Sequence, residues 1–133
     1  MTVEDDIFTR IKAVSGITDL IGTGGNCRAY PGMVPQAETN PCLSFERVGA
    51  QRAPMMGADS GVVWARFQFN CFADDYDGAR SLCNAVRAGV QRYGGTGTVI
   101  IDTIFIENEI DLGFDEASRT FHCVLETTVI YRE

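Results

Sequence analysis

GVVWARFQFNCFADDYDGARSLCNAVRAGVQRY, residues 61–93, decides the fold. Val63, Ala65, Phe67, Phe69 and Cys71 alternate with Trp64, Arg66, Gln68, Asn70 and Phe72. A period of two predicts a strand with one mostly apolar and one mixed face. The period then changes. Tyr76, Ala79, Leu82, Cys83, Val86 and Val90 recur at spacings of three and four, the pattern of an amphipathic helix. Asp74 or Asp75 can cap its start, Asp77 adds negative charge to the first turn, and Arg87 and Arg92 lie near its far end. That order of charge suits the helix dipole. Gly94-Gly95 predicts the stop near Tyr93.

Upstream, residues 2–14 read as a first helix, with Val3, Ile7, Ile11 and Val14 on one stripe and Phe8 beside it. Thr2 can cap it, Glu4, Asp5 and Asp6 load its first turn, and Arg10 and Lys12 follow. Ser15-Gly16 is expected to break it, leaving residues 17–21 as one helical turn on the core and 22–26 as a turn. Residues 27–30 suggest a short edge strand stopped by Pro31-Gly32, and 31–40 a loop. Residues 41–49 form a strand with Leu43 and Phe45 on one side and Ser44 and Glu46 on the other. The 50–60 segment, AQRAPMMGADS, is too long for a tight hairpin turn. It is either an adaptable, Met-bearing contact loop or a frayed extension of both strands.

Downstream, Gly94-Gly95-Thr96-Gly97 is a glycine-rich connection. Residues 98–109 form a strand with apolar side chains on both faces, which implies cover on both sides or a bulge midway. Residues 111–119 read as a turn and 120–132 as the last strand. The order is helix, strand pair, helix, strand pair. It predicts one α+β domain over residues 1–133: two layers, with a mostly antiparallel sheet and both helices on one face. The opposite face would carry Trp64, Arg66, Gln68, Phe72, His122, Val124, Glu126, Ile130 and Arg132. Such a mixture fits a subunit interface, or a half-wetted face in a monomer.

With 11 basic and 18 acidic side chains the net charge is −7, which argues against a surface built to grip nucleic acid. No apolar run reaches the roughly 20 residues of a membrane helix, and the acidic start MTVEDDIF does not look like a signal peptide. The five cysteines, Cys27, Cys42, Cys71, Cys83 and Cys123, contain no CxxC pair and read as reduced thiols with structural roles. Zinc-motif spacing is absent. His122 is the only histidine, lies mid-strand and has no nucleophile motif to serve. The glycine clusters at 22–25 and 94–97 match neither phosphate-binding pattern. Glu107, Glu109, Asp111, Asp115 and Glu116 form an acidic cluster. It could be a cation or glycosidase-like site, a solvated strand end, or a channel lining that repels DNA. No cofactor is expected.

Three segments then acquire a common meaning. CRAYPGMVPQAETNPCLSFERV, ARFQFNCFADDYDGARSLCNAVRAGV and IENEIDLGFDEASRTFHCVLETTVIYRE, following an amphipathic N-terminal helix, resemble the tail-completion proteins of long-tailed phages and gene-transfer particles. Tyr30-Pro31, the strand–Asp–helix passage and the closing strand ending at Tyr131 carry most of the likeness. The resemblance implies a virion structural protein without catalytic residues, a tail terminator or head–tail joining component. It implies a self-assembled ring, a hexamer, that caps the tail tube, meets the head connector and lets DNA pass through its lumen without specific binding. It implies no membrane partner, and a place in the virion tail or neck after assembly in the host cytoplasm. It points to contact regions, with Arg52, Met55 and Met56 in the 50–60 segment, Trp64 and Arg66 on the mixed face, and Glu107, Glu109, Asp111, Phe114 and Asp115 at the strand end and turn. The alternatives are another neck, minor capsid or tail-tube subunit, or a small enzyme using the 107–116 acidic cluster.

Overall fold

A computed structural model describes residues 3–22, 28–32, 41–55, 58–97, 99–116 and 120–132, apart from the side chains at 53–55, 58–60 and 115. The strand-then-helix passage takes both forms: β3 spans Ala58–Ala73 and α3 spans Tyr76–Val90. Asp75 is the N-cap, with its Oδ1 accepting from the backbone N–H of Gly78 at 2.6 Å. That bond satisfies one of the amide groups a helix start leaves unpaired.

Around this pair lie α1 (Val3–Ala13), α2 (Ser15–Ile21), β1 (Ala29–Pro31), β2 (Cys42–Met55), β4 (Gly95–Thr96), β5 (Ile100–Asp115) and β6 (Thr120–Arg132). The six strands form one sheet in the order β1-β2-β3-β6-β5-β4, antiparallel except for the parallel β1–β2 edge. All three helices contribute to one core against one sheet face. Ile7, Ile11, Ile17, Ile21, Leu82, Val86 and Val90 meet Phe45, Phe67, Phe69, Leu125 and Val129. Each of these large side chains contributes about 1.5–3 kcal/mol by leaving water. The fold is the expected α+β two-layer arrangement.

Several boundaries differ from the sequence reading. The helix break falls on Val14, whose backbone is extended, and Ser15 and Gly16 open α2. Thus the expected single turn is a seven-residue helix. α3 ends at Val90, not near Tyr93, and the left-handed residue is Arg92, at φ 59°, not a glycine. The Arg92 N–H reaches the Ile104 carbonyl at 2.7 Å, so a bond to β5 holds the chain in this turn. β1 ends on Pro31, one residue later than expected, with Gly32 following at φ 85°. Of the two readings of the 50–60 segment, the extension of both strands is the one observed, as a hairpin whose pairing continues to Met55↔Ala58. Since β6 ends opposite Val62, that hairpin projects past the sheet body as an arm. Residues 111–115 likewise belong to β5, not to a turn.

β5 resolves its two-faced apolar pattern with irregularities between Ile101 and Thr103, Ile106 and Asn108, and Asp111 and Gly113. Each inserts a residue and turns the following side chains over. Gly113, at φ 79°, occupies a conformation that a side chain would strain. A Cβ at Gly97 would meet Asp6 Oδ1 at 2.5 Å and make that side chain shift. Asp6 Oδ2 meanwhile accepts from the N–H of Val99 at 2.8 Å. The proposed Thr2 cap, the 23–26 part of the turn, Cys27 and residues 33–40 lie outside the described residues.

Candidate interaction surfaces

Cross-strand partners share a face, so register places each candidate residue. Trp64 opposes Gln51 and Ile130, and Arg66 opposes Gly49 and Thr128. All lie on the face away from the helices. Glu107 joins them because it is the extra residue at the middle irregularity of β5. Its Oε1 accepts from the Thr128 hydroxyl at 2.6 Å. Gly49, Ala50, Gln51, Trp64, Arg66, Glu107 and Thr128 line a groove of about 260 Å³. Trp64 stays 51% exposed, and Phe105, which opposes Thr128, is exposed on the same face.

Glu109 and Asp111 are elsewhere. They oppose Leu125 and Cys123, on the helix-bearing face. Arg80 from α3 grips both, with its guanidinium 3.0 Å from Glu109 and 3.2 Å from Asp111. Asp111 first, and Glu109 next, hold that guanidinium even more firmly protonated than usual. The acidic cluster suggested by spacing is therefore split across two faces by one inserted residue. Phe114 opposes Phe121 with ring centroids 5.1 Å apart, and Tyr76 meets Phe121 edge-on. Phe114 and Tyr76 are exposed there. This second patch lies at the opposite end of the sheet. Seven residues of β3 separate Trp64 from Cys71, the register partner of Cys123, or about 23 Å at ~3.3 Å per residue.

Arg52 opposes Val63, which puts it at the root of the arm on the helix side, exposed and apart from Trp64. Met55 ends β2, but its side chain, like that of Asp115, is outside the description, and Met56 lies outside the described residues. The structure thus unites Trp64, Arg66 and Glu107 in one patch and Glu109, Asp111 and Phe114 in another.

His122 has a packing role within the outer face. It stacks on Phe72 with centroids 4.4 Å apart and its Nε2 lies 3.0 Å from Asn70 Oδ1. Asn70 Oδ1 also accepts from Gln68 Nε2 at 3.3 Å, so His122 Nε2 is the donor. Cys42, Ser44, Asn70 and Val124 are buried on this face.

Three of the cysteines converge under Arg80. Cys123 Sγ lies 2.9 Å from Cys83 Sγ and 3.2 Å from Asp111 Oδ1, and Cys83 Sγ lies 3.3 Å from Glu109 Oε1. A hydrogen bond with Cys71, followed by burial, pushes the Cys83 thiol far above the usual range. Burial, followed by the contact with Cys83, does the same for Cys123. Sequence spacing could not reveal this junction, because its members come from three different elements. Arg80 was missed for the same reason. Phe105 was hidden by the two-faced pattern of its strand.

With this geometry in place, similarity to known proteins defines the class. Over 96% of its length the chain superposes, with a TM-score of 0.76 at 12% identity, on 92% of a chain from the virion of a native gene transfer agent particle. At that identity the likeness shows a shared fold. Among curated proteins no sequence match reaches significance. The profile of the tail completion protein gp17 family matches residues 5–132, and the chain belongs to that family. It is a structural protein of the virion tail.

Proposed function

We propose that the protein is a tail terminator or head–tail joining component that works as a single domain in a ring of identical copies. A hexamer is the copy number favoured by the family resemblance. The observation that carries this reading is the presence of two unlike exposed patches on opposite faces and opposite ends of one subunit. Trp64, Phe105, Arg66 and Glu107 make one; Phe114, Tyr76 and the Arg80 ion-pair cluster make the other. A ring is built from head-to-tail contacts, and each contact needs two different, complementary surfaces. A two-fold dimer would need only one. The projecting β2–β3 arm offers an additional surface for the tail tube protein or the head connector.

In this reading the protein acts by shape and catalyses nothing. The net charge of −7 keeps DNA from adhering as it passes through the lumen. Assembly takes place in the host cytoplasm. Native mass measurement on purified protein, alone and with tail tubes, tests the proposal. A ring on or off the tube supports it. A strict monomer that ignores tubes refutes it. A neck or tube subunit of similar build would instead bind its neighbours without halting tube growth.

A further inference from the structure

The sulfur junction invites a different chemistry from ring assembly, and does not depend on it. Cys83 on α3, Cys123 on β6 and Glu109 on β5 place their ligand atoms within 4.8 Å of one another. Cys71 sits beside Cys83, and Asp111 beside Cys123. Cys83 can donate its proton to Glu109, and Cys123 has a single proton for two acceptors, Cys83 Sγ and Asp111 Oδ1. The two sulfurs lie 2.9 Å apart, inside van der Waals contact. Bare thiols are a poor occupant of this arrangement.

We propose that Cys83, Cys123 and Glu109 bind a borderline-soft divalent cation, zinc by chemical class, with Asp111 or water as the fourth donor. Thiolate and carboxylate are the donor types such an ion takes. With Zn–S near 2.3 Å and tetrahedral angles, the two sulfurs would separate to about 3.8 Å, a small opening from the present contact. The charges nearly balance: two thiolates, Glu109 and Asp111 supply four negative charges, the ion two positive and Arg80 one, leaving a single net negative charge at the cluster. Arg80 at 3.0 Å and 3.2 Å from the two carboxylates then acts as an outer partner that orients a ligand. Glu109 and Asp111 are only partly covered and supply an entry path, while Cys83 and Cys123 are 0% and 2% exposed. That burial shields the sulfurs from diffusing disulfides and favours a metal over a cystine.

The test uses the full-length protein, with intact mass recorded as purified without reductant and metal binding measured after reduction. Zinc is titrated against a chromophoric chelator, and cobalt is substituted to read sulfur-to-metal charge transfer. The expected result is one zinc per chain, a cobalt–thiolate absorption band, and at least a tenfold loss of affinity in both Cys83→Ser and Glu109→Gln. Cys42→Ser, on the outer face, should bind as wild type. Because Cys83→Ser could unfold the chain, Glu109→Gln, checked for a native circular dichroism spectrum, decides in that case. Three results overturn the proposal: no stoichiometric metal, undiminished binding in a folded Glu109→Gln protein, or a mass lower by two hydrogens that marks a Cys83–Cys123 disulfide.

Discussion

Replacing Trp64 by alanine separates assembly from folding. A tryptophan side chain buries about 150–250 Å² when fully covered. Trp64 is 51% exposed, so roughly 100 Å² remains for a partner to cover. At about 25 cal/mol per Å² that area is worth about 2.5 kcal/mol per subunit contact, or roughly 60-fold in dissociation constant. The covered half lies over its own sheet, so the variant also loses about 2 kcal/mol of folding stability. The two effects are measured apart. Urea unfolding of dilute protein reports the loss of folding stability, and sedimentation of folded protein over a concentration series, with and without tubes, reports the loss of association. Folded Trp64→Ala that associates as tightly as wild type would refute the assignment of this face to a subunit contact.

Other expectations follow from single contacts. Asp75→Ala removes the α3 cap and should lower the urea midpoint by an amount equivalent to about 1 kcal/mol. Leu82→Ala opens a void between α3 and the sheet and should cost about 2–5 kcal/mol in the same assay. Gly113→Ala meets no neighbour within 4 Å, so its cost is backbone strain alone, about 1–2 kcal/mol. In metal-free protein, Cys83 and Cys123 hold their protons far more tightly folded than unfolded. Their contribution is therefore complete below the unfolded thiol value of about 8.5 and declines as pH rises above it. Stability curves from pH 7 to 10 should fall by up to about 1.4 kcal/mol per pH unit for each thiol; a flat curve would contradict the burial of these groups.

The layers were legible because their periods were clean. Alternation at Val63 to Cys71 and the three-four spacing from Tyr76 to Val90 fixed a strand and a helix, and the Asp75 cap was visible as a residue type. What stayed hidden depended on backbone irregularity and on contacts distant in sequence. The hairpin arm carries Pro54, which looks like loop chemistry, yet an edge hairpin tolerates it beside its own partner strand. One inserted residue at Glu107 sends it to the face opposite Glu109 and Asp111, so regular alternation grouped acids that never meet. Val14 and Arg92 take the turns that glycines were expected to make, because bonds to Ile11 and Ile104 hold them there. The sulfur junction joins residues from three elements, and no local motif encodes it.

The most direct trial of the tail-completion account is electron microscopy of particles assembled without this chain. The account predicts tails of uncontrolled length that fail to join filled heads. Tails of normal length seated on full heads would contradict it.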